Sequence, residues 1–368
     1  MTSSVNQQKH EKLNYINVFR AIAILLIVAG HTIQSEHAIW KPIFKTMLQD
    51  GTVLFVFISG FLFQYLSDSF SYPKYLKKKF FNIVCPYLFT SILGILLLFC
   101  FPAFNRFNGV NKLLQIPMFL TTGIFHNLPT WYIPMTCVFF LFAPVLLWAE
   151  KKKIFNGKSL LFCILSVLVL IPFCLPRYAP SAFVQPTPWQ TYWVAVEGNI
   201  LRTGLFFPVY ILGMFVAAHR DKIDKLYCAR GILWGLFLLT CAIDFWVIYQ
   251  GILPGRLLAP KMILTFLVLG YLKHYDNALL SRKRLNGWLD TVAAYSFAIF
   301  FLHHYILRVQ KFAVDFIAKH GVPGVEFWLG NPLSKFVVAF IGSFLLAVLI
   351  KKGLTKCGIK NTRWFIGV

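Results

Sequence analysis

The sequence predicts an all-α integral membrane protein, a bundle of about ten transmembrane helices. Composition is the first ground: of 368 residues, 58% are hydrophobic and 13% charged, with a mean hydropathy of +0.67. A water-soluble globule built this way could not cover its surface with polar groups. Phe alone contributes 39 residues, which suits lipid-facing and interfacial positions. The second ground is periodic: apolar runs recur at about the twenty residues a helix needs to cross a bilayer. No soluble domain or internal repeat interrupts them, so residues 1–368 read as a single transmembrane domain.

Taken in order, the expected spans centre on residues 17–35, 52–66, 80–101, 130–149, 159–176, 203–219, 230–250, 257–275, 291–308 and 333–351. Lys9 and Lys12 before the first could suggest a secretory signal, but the run is long, contains Arg20 and His31, and lacks a small-x-small cleavage site. It reads as a retained helix. The second is short and is expected to begin near Met47. Between the fifth and sixth, LPRYAPSAFVQPTPWQTYW carries several X-Pro steps and aromatics, the pattern of an interfacial loop.

A net charge of +23 raises nucleic acid as a partner. That reading needs the cations gathered on a soluble face or arm, and here they are distributed along the chain. Alternate connections divide them unevenly: the set containing both termini holds 23 Lys and Arg, the other set 10. By the positive-inside rule both termini are cytoplasmic. The eight cysteines form no CxxC pair or zinc-spaced cluster and mostly sit in apolar runs, so neither a disulfide nor a metal site is expected.

Against this background a few residues do not belong in lipid. FRAIAILLIVAGH, residues 19–31, carries Arg20 and His31. Eleven steps put them within roughly 20° of one helical face and roughly 16 Å apart along it. Arg20 alone could snorkel to the boundary, and a buried histidine can be a hydrogen-bonded packing residue, yet ionisable groups inside spans usually face a cavity or pathway. Asp244, Lys261 and the pair His303 and His304 are further misfits, and Asp244 and Lys261 could be mutual partners. Ser59 and Gly60 in LFVFISGFLF allow either close helix packing or the lining of an acyl pocket. GxSxG, HExxH and phosphate-loop patterns are absent from the sequence, which disfavours a serine hydrolase, a zinc protease or a nucleotidase.

In this order the pieces resemble the acyltransferase 3 family of membrane acyltransferases, whose first helix carries an arginine or lysine, ten residues, then a histidine. Arg20 and His31 match that spacing. FVFISGFLF is similar to the family's FF-x-x-SGF segment, PTWYIPMTCVFFL to its Trp-Tyr-rich fourth helix, and YSFAIFFLHHYIL to its late SYS-I-YL-x-H segment, with His303 at the matching histidine. One departure is visible. Members often carry Arg-x-x-Arg before the third helix, where this chain has Lys79 and Asn82. Lysine binds phosphate as a point charge, but asparagine does not replace a guanidinium fork.

The resemblance implies transfer of an acyl group, acetyl from acetyl-CoA, to a hydroxyl of a cell-surface polysaccharide or its lipid-linked precursor. Succinyl transfer and a non-catalytic glycan exporter are the alternatives. No permanently bound cofactor is expected; partners would be acyl-CoA, a glycan or glycolipid acceptor and the bilayer of a bacterial inner membrane. His31 would act as general base or covalent acyl carrier, with Arg20 beside it. Arg20, Lys77, Lys78, Lys79, Ser59 and Tyr132 are assigned to the donor, and Trp131, Asp244 and His303 to the acceptor.

Overall fold

The computed structural model describes residues 12–34, 40–68, 70–100, 107, 109–123, 129–152, 187–251, 257–321 and 324–368. Among them there is no strand. Helix is what a bilayer permits, because each backbone N–H and C=O must find its partner within the segment. Among the described residues, eight helical segments are long and apolar enough to cross a membrane: Asn14–Thr32, Trp40–Tyr65, Tyr72–Cys100, Tyr132–Lys151, Pro188–Ala218, Arg230–Tyr249, Lys283–Lys319 and Pro332–Lys356. The chain is a multi-pass membrane protein. The expected span at 159–176 and most of the Pro-rich connection lie outside the described residues.

In chain order the helices are α1 (Asn14–Thr32), α2 (Trp40–Leu48), α3 (Thr52–Tyr65), α4 (Tyr72–Lys79), α5 (Cys85–Cys100), α6 (Lys112–Thr122), α7 (Tyr132–Lys151) and α8 (Pro188–Ala218). They continue with α9 (Asp224–Cys228), α10 (Arg230–Tyr249), α11 (Ala259–His274), α12 (Asp276–Ser281), α13 (Lys283–Lys319), α14 (Val325–Leu329), α15 (Pro332–Lys356) and α16 (Arg363–Ile366). A π-helical turn, Phe80–Val84, joins α4 to α5.

Three of the expected spans have different boundaries in the structure. The second span does not run on from Met47: α2 ends at Leu48 and α3 starts at Thr52, across a turn in which Asp50 has φ 62°. Helix α8 begins at Pro188, well before 203. Thr187 and Gln190 form a reciprocal capping box and Pro188 takes the first turn, so the proline that reads as a breaker is a helix start. Helix α13 runs 37 residues and overshoots 291–308 at both ends. Helix α11 falls within the expected 257–275 and, at 16 residues, is shorter than the eight spanning segments.

Helix α1 is central: 67% of its apolar window is buried, against 17% for α15 and 22% for α10, which face outward. The closest packing is α3 on α8. A Cβ on Gly60 would strike the Tyr210 backbone, and one on Gly213 the backbone of Phe57, so both glycines serve close approach of two helices. Helices α1 and α13 run parallel in a fixed register. Lys12 pairs with Asp290 at 2.8 Å, Arg20 donates to Ser296 at 3.2 Å, and His31 meets His303 and His304. The two helix starts therefore lie at one end of the bundle and the histidines further along both helices, His303 buried and His31 exposed at the end of α1.

Candidate functional site

At the end of α1 is a group of three imidazoles. His31, on the last turn of α1, lies 5.4 Å from His303 and 4.6 Å from His304 between ring centroids, and the two α13 rings are 4.4 Å apart. His303 Nδ1 donates to the Ile299 carbonyl at 3.0 Å. Neutral His303 consequently presents a bare lone pair at Nε2. The Nε2 atoms of both His303 and His304 are buried without a hydrogen-bond partner, as is a guanidinium nitrogen of Arg308, one helical turn beyond. Buried polar atoms of this kind are costly unless something meets them.

Beside them is a cavity of about 190 Å³ lined by His31, Gln34, Asp50, Trp131, Tyr132 and Phe300 among others. The break between α2 and α3 forms one wall, as irregular backbone at membrane depth does where it faces a cavity. Two misfit charges hold that break. Lys261 Nζ donates to the Thr46 and Met47 carbonyls at 2.7 and 2.8 Å, satisfying the end of α2 with a cation where its dipole is negative. Asp244 accepts from Thr46 Oγ1 at 2.6 Å and from Leu257 N at 2.7 Å. Asp244 and Lys261 meet on the same threonine.

The other sequence-assigned residues divide between two places. Trp131 and Tyr132 line the cavity; Arg202 sits 5.0 Å over the Trp131 ring, and Tyr132 packs edge-on to Phe300 at 5.5 Å. Ser59 Oγ donates to the Phe55 carbonyl at 2.8 Å and faces the Tyr132 hydroxyl. Gly60 thus serves packing while its neighbour turns toward the site. Asp244 is not brought to the cavity wall. Arg20 and Lys79 are linked through a residue the sequence reading used only for topology: Arg363, within electrostatic reach of each. Lys79 Nζ lies 4.8 Å over Phe140 and 5.3 Å over Tyr75. Lys77 and Lys78 are exposed beside it.

An arginine and a histidine thus mark the two ends of one buried stripe, with aromatic walls and a late histidine pair closing its deep end. Residues 13–352 match the family profile described as an acyltransferase domain. The chain belongs to the acyltransferase 3 family. It is accordingly a membrane acyltransferase, and the match spans α1 through most of α15, so all three histidines fall inside it. Arg363 falls beyond it. Comparison with curated proteins and with solved structures finds no match.

A second chemistry must be weighed at the histidines of this acyltransferase. One ligand atom from each imidazole lies within 4.8 Å of the others, a donor set that a divalent transition ion accepts. Arg308, within electrostatic reach of His304, argues against a dication and for an oxyanion. The six cysteines among the described residues are free thiols.

Proposed function

We propose that this acyltransferase moves an acetyl group from acetyl-CoA to a hydroxyl of a cell-surface polysaccharide or its lipid-linked precursor, in the inner membrane of a bacterium. The observation that carries the reading is the stripe on α1: a cationic group at one end, a group of three imidazoles at the other in which the buried Nε2 atoms of His303 and His304 are unmet, and a cavity beside His31. Its length suits a phosphorylated carrier held at the membrane face with its thin arm reaching inward. The small cavity favours a short acyl group.

The residues then divide the work. His31 takes the proton of the attacking hydroxyl as that oxygen bonds to the thioester carbonyl carbon. His303, fixed by Ile299 as an acceptor at Nε2, is suited to receive a hydrogen bond from the imidazolium that His31 becomes. Arg308 and His304 supply positive potential and donor capacity for the oxyanion. When the carbon–sulfur bond breaks, the thiolate recovers the proton from His31, and CoA leaves as a thiol. Ser59 and Tyr132 wall the donor arm, and Trp131 offers the acceptor sugar an apolar face.

An exporter would need charged groups such as Arg20, His31, Asp244 and Lys261 to line one path, but Asp244 and Lys261 are engaged in holding the α2–α3 break. Purified protein in proteoliposomes, given radiolabelled acetyl-CoA and cell-surface polysaccharide, should transfer label to the glycan. Wild-type protein that transfers none, from either acetyl- or succinyl-CoA, would defeat the proposal.

A further inference from the structure

Two cations from distant segments, Arg20 on α1 and Lys79 at the end of α4, each lie within electrostatic reach of a third, Arg363 on α16, whose neighbours Trp364 and Gly367 pack on Phe81 and Phe297. Like charges gathered in a half-buried place repel unless an anion joins them. Protein groups do not supply it. Arg20 donates only to the Ser296 hydroxyl, Lys79 rests on two aromatic faces, and among the described residues none of the three is ion-paired.

Arg363 is not there by accident of a loose tail, because its neighbours are clamped. Trp364 stacks on Phe81 of the π-helical turn at 4.6 Å and Phe365 meets Phe89 at 5.4 Å. Ile366 is fully buried. Gly367, with φ 77°, lies so close to Phe297 that a Cβ there would come within 2.5 Å of the ring. Thr362 Oγ1 then closes the segment by donating to the Val368 carbonyl at 2.6 Å. Phe297 is the residue after Ser296, the partner of Arg20. The end of the chain is thus folded back so that one guanidinium reaches the cluster, beside a turn where position 82 is an asparagine.

We propose that Arg363 completes, with Arg20 and Lys79, a site for a phosphate ester, and that its occupant is the 3′-phosphorylated nucleotide end of the acyl-CoA donor. A guanidinium binds phosphate through two parallel N–H donors, which a lysine cannot reproduce. The inference rests on the reading of this chain as a CoA-dependent acyltransferase. An anionic lipid headgroup offers similar chemistry, so the test separates the two.

The full chain is placed in nanodiscs of phosphatidylcholine alone, and binding of CoA and of 3′-dephospho-CoA is measured for wild type, Arg363→Gln and Arg363→Lys. Thermal unfolding of each variant reports whether the fold survives. The expected result is about 10- to 100-fold weaker CoA binding for Arg363→Gln at unchanged unfolding temperature, a smaller loss for Arg363→Lys, and little difference between wild type and variant with 3′-dephospho-CoA. Wild type that binds CoA no better than Arg363→Gln overturns this inference and leaves the proposed function standing. Wild type that binds no CoA in either form defeats the proposed function itself. If Arg363→Gln unfolds, Arg363→Lys decides: a reduced preference for CoA over 3′-dephospho-CoA in that variant supports the assignment, and undiminished preference for CoA overturns it. A phenotype that appears only when phosphatidylglycerol is added assigns the site to lipid and also overturns it.

Discussion

His31 and His304 lie edge to face, ring centroids 4.6 Å apart, although one stands near the start of the chain and the other near its end. The parallel register of α1 and α13 makes this contact, since Arg20 on Ser296 fixes the two helices about three turns below it on α1 and about two on α13. The pair, with His303, is where the proposed proton transfer is located.

Replacing His31 should therefore abolish chemistry without disturbing the fold, because His31 is exposed to the cavity at the helix end. Both His31→Ala and His31→Gln should lower acyl transfer by roughly 100- to 10,000-fold, the range for loss of a general base, with protein abundance near wild type. Gln keeps hydrogen-bonding capacity but takes no proton near neutrality. Normal glycan acylation by His31→Gln in cells would remove the catalytic assignment.

His303→Gln should reduce turnover less, about 10- to 100-fold if it removes one good hydrogen bond to the charged imidazole, and should leave the affinity for CoA unchanged. A rise in KM for the donor at unchanged kcat would instead put His303 in donor binding.

Chelation tests the metal alternative directly. Prolonged dialysis against 1,10-phenanthroline should leave transfer activity intact. Inactivation reversed by a divalent ion would mean that the three imidazoles hold a metal and that proton transfer by His31 must be replaced.

Asp244 and Lys261 should behave as structural residues. Removing one member of a buried charged network costs about 3–5 kcal/mol, so Asp244→Ala and Lys261→Met should lower folded protein and unfolding temperature. The surviving fraction should keep its specific activity toward the acceptor. A specific loss of acceptor affinity at normal abundance for Asp244→Ala would restore the acceptor-binding role that the sequence suggested.

Gly60→Val should be the most damaging small substitution in the bundle, since a Cβ there meets the Tyr210 backbone and overpacking typically costs about 1–3 kcal/mol. Its unfolding temperature in detergent should fall clearly below that of wild type, whereas Gly235→Val, with open space around it, should not shift.

Much of the architecture was legible along the chain. A bilayer imposes helices of a set length, so hydropathy alone marks most spans, and a charged residue in such a run stands out against its neighbours. Arg20, His31 and the His303–His304 pair were visible for that reason. Boundaries were less legible where a tertiary contact overrides local preference. Nothing between Met47 and Thr52 forbids a continuous helix as strongly as Lys261 favours its end, by donating to two carbonyls from a helix more than two hundred residues away.

By itself, then, the sequence determined the membrane class, the family resemblance and the spacing of Arg20 and His31, because each depends on local composition or on periodicity within one helix. Only the tertiary structure decided that Asp244 and Lys261 share Thr46 instead of facing the cavity, that His304 joins His303 at His31, and that Arg363 reaches Arg20 and Lys79. Those outcomes depend on which helix faces pack together. Hydrophobic faces are nearly interchangeable in a chain this apolar, so the pairing is selected by close glycine contacts and a few buried polar partners that come from segments far apart in the sequence.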